Sequence, residues 1–283
     1  MPGWRQEYVQ LTTDAFAGSI TRVDFGNLSI FRETLNQATI NRYVFPEDQA
    51  FVSINLRNSA RALASGGAML GLQGAFLSKF RGDAECLNMG PVDFVGICFA
   101  PEGALMDEEH RWTTLGGAVG PLGEWIAALI GAFARGHASA DLQKLAPMLI
   151  EDRLSLHLET RACAPRPDRS QAARIALEAL AVLRELRPDE LSVKSLSQRL
   201  GHSAATLRAC YRAHIDADLD TALYALRMSA VRRRLAQACA GTDTVSGIAA
   251  DHGFLHWGRF AAGYRAMFGE LPVETLRRTP RPH

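Results

Sequence analysis

Cysteine is scarce in this chain, and nothing in its arrangement points to chemistry. Cys86, Cys98, Cys163, Cys210 and Cys239 are scattered, odd in number and without a CxxC pair. Neither a disulfide framework nor a thiolate metal site is indicated, and buried reduced thiols are expected. Long apolar runs are missing as well: the longest, Trp125 to Ala134, has ten residues, whereas a bilayer span needs about 20. The opening MPGWRQEYVQ has no apolar signal core, so a cytoplasmic protein is expected. Histidine is sparse where a metal-binding barrel would need it. Before residue 160 there are only His110, His137 and His157, none in the strand-rich stretch, so no metal, cofactor or catalytic set is expected. Lysine is rare throughout, and from Asp168 onward Lys194 is the only one.

What is present is a balanced globular composition, 47% hydrophobic and 22% charged over 283 residues, enough for two domains with separate cores. The net charge of +1 conceals an asymmetry. From Asp168 onward there are 17 Arg and Lys against 12 Asp and Glu, a balance of +5, which leaves −4 for residues 1–167. An arginine-dominated half suits bidentate contact with phosphate or guanine, although solvated helices often carry such a balance too.

Residues 1–25 show no clean pattern. From Leu28 to about residue 100, short runs of alternating polarity predict strands: Leu28–Leu35, Thr39–Phe45, Val52–Leu56, Ala68–Gln73, Ala75–Lys79, Ala84–Asn88 and Val95–Phe99. Glycine and proline punctuate them, and close succession points to a small barrel or sandwich. Such an interior can hold a small organic ligand, but every small barrel has an apolar interior. Arg42, Arg57, Lys79, Arg81 and Glu85 could each fix a polar ligand, but each reads better as an ordinary surface charge, so the ligand site is open. Pro121–Arg135 and Asp141–Thr160 predict helices, the second with Leu142, Leu145, Leu149 and Leu156 on one side. They suit either capping helices or a pair that meets its own copy. RACAPRPDR, residues 161–169, is the linker, which divides the chain into 1–160 and 170–283.

The second part reads as all-helical. Ser192 caps a helix with Leu196 and Leu200 inward, Gly201 turns the chain, and Ser203 caps a helix that buries Leu207 and Tyr211. Ala205, Arg208, Ala209 and Arg212 then face outward. The pattern repeats: Thr244 caps a helix carrying Val245, Ile248 and Ala249 inward, and Gly253 ends it. The helix after it buries Phe260, Tyr264 and Phe268 and exposes Gly258, Ala261, Ala262 and Arg265. Two helix-turn-helix units, about 191–215 and 244–268, are thus predicted, joined by a helix from Asp218 to about Cys239. Its length of about 30 Å approaches one turn of DNA. Arg212 and Arg265, further along their helices, suit phosphates; Trp257 suits either a thymine methyl or packing against a neighbouring helix. His252 and His256 flank the second turn without a third ligand, which favours capping or a DNA contact over a metal.

These two units, with VSGIAADHGF, RFAAGYRAMFG and Pro272 three residues after Gly269, resemble the DNA-binding domain of AraC/XylS-type bacterial transcription regulators over Ser170 to Arg278. HWGRFAAGYRAMFGELPVETLRR looks like the branch that includes ethanolamine-operon regulators. The resemblance implies groove-facing roles for Ala205, Arg208 and Ala209 and for Trp257, Gly258, Arg259 and Ala262. It also implies an α+β chain whose N-terminal part is a small, cupin-like β-barrel with a helical dimerisation segment. A small-molecule effector, a homodimer, double-stranded DNA and RNA polymerase follow as expected partners, with activation of transcription as the activity. Two departures stand out. Asp216, Ala217, Asp218 and Leu219, with Asp220 beside them, replace the usual Gly-x-Ser-Pro turn, so three acids burden the first unit against phosphate. Arg234 stands where the family prefers an apolar residue. The alternative is an enzyme or cysteine-based redox sensor carrying a DNA-binding domain, which would need a reactive thiol; Cys86 and Cys98 sit instead in strand-core contexts.

Overall fold

A computed structural model describes residues 5–45, 49–57, 61–65, 68–71, 74–79, 82–100, 113–115, 119–159, 168–215, 217–238 and 243–278. Its first part is built of strands β1 (Arg5–Gln10), β2 (Gly18–Asp24), β3 (Leu28–Leu35), β4 (Thr39–Phe45), β5 (Ala50–Asn55), β6 (Arg61–Ser65), β7 (Ala68–Gly71), β8 (Ala75–Lys79), β9 (Gly82–Asn88), β10 (Val92–Phe99) and β11 (Thr113–Thr114). They make two antiparallel sheets, β1-β4-β9-β6-β7 and β11-β8-β5-β10-β3-β2. The expected barrel is therefore corrected: each sheet is open, with two edges, and the strands do not close on themselves.

Alternation explains the six-stranded sheet. Register sets Ile97 opposite Val52 and Ile30, and Val52 opposite Leu77, so one apolar row crosses four strands. That face is covered by α1 (Gly120–Ala134) and α2 (Ala140–Glu159), through Ile126, Ile130, Ala146, Ile150 and Leu154. Burial of each such isoleucine or leucine contributes about 1.5–3 kcal/mol. On the opposite face Phe31 stacks on Phe51 with ring centroids 5.8 Å apart and meets Phe94 edge-on. Gly96 makes room for these rings, since a Cβ there would lie 2.4 Å from Phe31 and 2.6 Å from Phe51. On α2, Leu145, Leu149 and Leu156 are exposed, while Ala146, Ile150 and Leu154 are buried in the cluster that also holds α1 and the sheet's apolar row. Three leucines of the stripe read in the sequence thus lie on the outer face, and only Leu142 is partly buried against the core.

The second part is helical: α3 (Gln171–Glu185), a 3-10 turn at Pro188–Glu190, α4 (Val193–Leu200), α5 (Ala204–Ile215), α6 (Leu219–Gln237), α7 (Val245–Asp251), α8 (Trp257–Phe268) and α9 (Pro272–Arg278). Most of the sequence linker, 161–169, falls outside the described residues. The two parts share a core. Ile175, Ala176, Ala179 and Leu183 of α3 cluster with Ile40 and Leu87 of the five-stranded sheet, with Leu11 and Ala38 just beyond its strands, and with Leu196, Leu207 and Tyr211 of α4 and α5. Across the same seam Arg233 of α6 stands 4.0 Å from Glu7 of β1. Among the described residues no helix is long and apolar enough to cross a membrane.

Candidate nucleic-acid interface

Two helix pairs sit at the two ends of α6. In the first, Ser192 Oγ accepts from the Ser195 amide at 3.1 Å and starts α4, and Gly201 ends it at φ +68°. Ser203 Oγ then accepts from the Thr206 amide at 3.1 Å and starts α5. Leu207, Tyr211 and Ile215 recur every fourth residue and are fully buried, which turns Ala205, Arg208, Ala209 and Arg212 to solvent. In the second, Thr244 Oγ1 accepts from the Gly247 amide at 3.1 Å, and Gly253, at φ +79°, carries the chain out of α7. The His252 ring meets the Ile248 carbonyl at 2.7 Å, a helix-end contact. Neither His252 nor His256 belongs to a metal-holding cluster among the described residues.

In α8 Phe260, Tyr264 and Met267 are buried, and Phe268 is only partly so. The inward stripe is thus shifted from the expected Phe260-Tyr264-Phe268, because α9 folds back and Thr275 bonds the Tyr264 hydroxyl at 2.8 Å. Trp257, Gly258, Arg259, Ala262 and Arg265 are all exposed. Trp257 is 50% exposed and rests on Phe260 of its own helix at 5.6 Å rather than being enclosed. Gly263 gives α8 its close seat on α6, since a Cβ there would lie 2.1 Å from the Tyr224 hydroxyl oxygen.

Helix α6 is buried on two faces because it serves both cores. Leu219, Ala222 and Leu223 pack with the first pair, and Ala225, Met228, Val231 and Leu235 with the second. Leu226 and Ala230 are only half-buried.

Charge at the two reading surfaces differs. Arg208 donates to Asp220 through Nε at 2.6 Å and Nη2 at 3.1 Å, and Arg212 donates to Asp218 at 2.9 Å. Asp218 also caps α6 by accepting from the Thr221 amide at 3.0 Å, and that bond holds its carboxyl below the usual range. Two of the three acids, Asp218 and Asp220, are therefore engaged locally; Asp216 lies outside the described residues. Arg259 and Arg265 show no carboxylate partner among the described residues. On α6, Arg232 lies over the Phe268 ring at 4.7 Å and 3.5 Å from Glu270, and Arg234 is bidentate to Asp243. Sequence reasoning missed these pairs because their partners are brought together only by the fold.

Between β1 and α6 lies a cleft of ≈ 740 Å³ lined by residues that include Tyr8, Phe16, Arg232, Arg233 and Phe268. Cys86 and Cys98 are buried, and burial pushes the Cys98 thiol up; Cys210 is half-buried, and Cys163 and Cys239 fall outside the described residues.

Residues 196–278 match a family profile described as a helix-turn-helix domain. The chain is 34% identical over 88 residues to the XylDLEGF operon transcriptional activator 1 of Pseudomonas putida, which takes in 31% of this chain and 27% of that protein. It is 30% identical over 120 residues to the probable thc operon regulatory protein of Rhodococcus erythropolis, covering 42% of this chain and 35% of the other. The chain thus spans about a quarter to a third of the length of these relatives. Among solved structures it is similar to the AraC-like transcriptional activator CuxR at 16% identity and a TM-score of 0.38, over 83% of this chain and 86% of that one.

Proposed function

We propose that this chain, whose residues 196–278 form a helix-turn-helix domain of the AraC/XylS type, is a sequence-specific DNA-binding regulator that activates transcription through contact with RNA polymerase. One observation carries the reading. Helices α5 and α8 stand at the two ends of α6, whose 19 residues span about 28 Å, and each exposes small residues and arginines. Reading helices of a two-unit protein enter successive major grooves about 34 Å apart. Ala205, Arg208 and Ala209 in the first unit, and Trp257, Gly258, Arg259 and Ala262 in the second, are the residues we assign to base edges and groove walls. Arg212 and Arg265 are assigned to phosphates. Selection of duplexes from a random pool by the full chain tests this. Enrichment of a two-part site with centres about 10 base pairs apart is expected; a pool that stays random after repeated rounds contradicts it.

Two finer assignments go with the reading. A small-molecule effector is proposed to act through the N-terminal sheets, since the ≈ 740 Å³ cleft joins β1 to α6. A metabolite that binds there raises the thermal midpoint by mass action. Homodimerisation is assigned to the outer face of α2, where Leu145, Met148 and Leu149 are exposed. An antiparallel two-fold pair centred on Met148 sets Lys144 opposite Asp152 of the copy, so the face is complementary in charge to itself.

A further inference from the structure

The acids after α5 were expected to burden the first unit, yet the contact made by Asp220 has a direction. A guanidinium offers five N–H donors in a fixed plane. Asp220 takes the side of the fork formed by Nε and Nη2. It leaves the end of the fork, the remaining Nη2 proton and both protons of Nη1, for which the described residues supply no partner. Two parallel N–H groups of that kind match the O6 and N7 acceptors of guanine in the major groove. Arg208 is the fifth residue of α5, in the half of a reading helix that meets base edges. Its side chain is 44% exposed, on the outer face of α5. An arginine with no such partner surrenders its rotamer freedom only on binding; here the carboxylate has fixed the plane beforehand.

We infer that Asp220 is a positioning residue that holds the Arg208 guanidinium edge-on for bidentate contact with one guanine, making the first unit a reader of a G·C pair. The inference rests on α5 being a groove-reading helix. Its rival is a plain electrostatic brake, in which Asp220 opposes phosphate and weakens every sequence alike. The two differ in one readout, the ratio of affinities between base pairs at a single step. An exposed ion pair adds little to folding stability, so its removal leaves the protein folded.

The test uses the full chain and its selected duplex, with all four base pairs placed in turn at each step of the first half-site, and reads affinity by fluorescence anisotropy at fixed salt. Wild type prefers guanine at one step by about 5- to 150-fold, the worth of one bidentate contact. Arg208→Ala abolishes that preference. Asp220→Ala lowers it by at least about fivefold, and Asp220→Asn, which keeps one acceptor, falls between; affinity for the non-guanine duplexes holds or rises. In the Arg208→Ala background Asp220→Ala no longer changes the ratio. Tighter binding of Asp220→Ala to all four duplexes by one factor overturns the inference in favour of the brake. Uniform loss in Arg208→Ala overturns it too, since Arg208 then contacts phosphate. If wild type selects no site at all, the DNA-binding reading itself fails, an outcome distinct from both.

Discussion

The arginines of α5 and α8 carry the same charge but are held differently, and this sets what each does. Arg208 and Arg212 are tied to carboxylates, whereas Arg259 and Arg265 have no carboxylate partner among the described residues. Arg265→Ala should therefore weaken binding to all duplexes alike and reduce the slope of log affinity against log salt by about 1, measured by titration at several salt concentrations. A change of base preference in that variant would contradict its phosphate role. Cys98 illustrates the opposite environment. It is 2% exposed and its thiol is pushed up by burial, so it holds its proton through the neutral range. Thiol reagents at neutral pH should label it far more slowly than a free model thiol until the protein is unfolded; rapid labelling of Cys98 in the native state would reopen the redox-sensor alternative. All nine residues singled out for DNA are exposed; helical periodicity made that legible for seven of them, whereas Trp257 and Arg259 are singled out only through the family resemblance. The pairing of Arg208 with Asp220 was not, because it spans two helices and depends on their crossing.

Elements were legible where a cap or an alternation marks them. Ser192, Ser203, Asp218 and Thr244 each accept the amide three residues ahead, so the starts of α4, α5, α6 and α7 could be read from residue type. Removing the Asp218 cap with Asp218→Ala should cost about 1 kcal/mol by chemical denaturation, while Asp218→Asn retains most of it. Because the folded-state pKa of Asp218 is depressed, the charged cap's contribution is present above the ordinary carboxylate pKa and lost as pH falls through the folded value. The wild-type advantage over Asp218→Asn should accordingly vanish in acid and be constant near neutrality. Strands β3, β4 and β8 matched their predicted spans, since central strands bury alternating large residues. Strands β1 and β2 escaped, being edge strands half open to solvent, and β6 escaped with its small residues of weak strand preference. Gly96 is an element-scale constraint that no pattern announces. Gly96→Ala should destabilise by about 1–3 kcal/mol, because its methyl group meets two stacked phenyl rings in the centre of β10. A thermal midpoint equal to that of wild type would show that the rings can yield.

For the whole molecule, the consequential feature is a core that runs across the boundary read in the sequence. Helix α3 packs its apolar face on the five-stranded sheet and on α4 and α5 at once, and α6 meets β1 through Arg233. Composition had suggested two parts joined by a proline-containing linker, and no local pattern records that Ile40 and Leu87 share a cluster with Leu207. Under the proposed function, burial of that seam would couple the sheets to the spacing of α5 and α8 and give an effector at the β1–α6 cleft a mechanical route to DNA. If α2 mediates assembly, Leu145→Glu with Leu149→Glu should convert a dimer into a monomer by sedimentation velocity without loss of fold; a monomeric wild type, or a double variant that remains dimeric, would remove α2 from that role. The central claim, two reading helices fixed one DNA turn apart by α6, is tested most directly by the affinity of the full chain for its selected duplex before and after insertion of about 5 base pairs between the half-sites, half a helical turn. The account predicts that the insertion reduces binding to the level of unrelated DNA, because α5 and α8 then face opposite sides of the duplex; equal affinity for the two duplexes would contradict it.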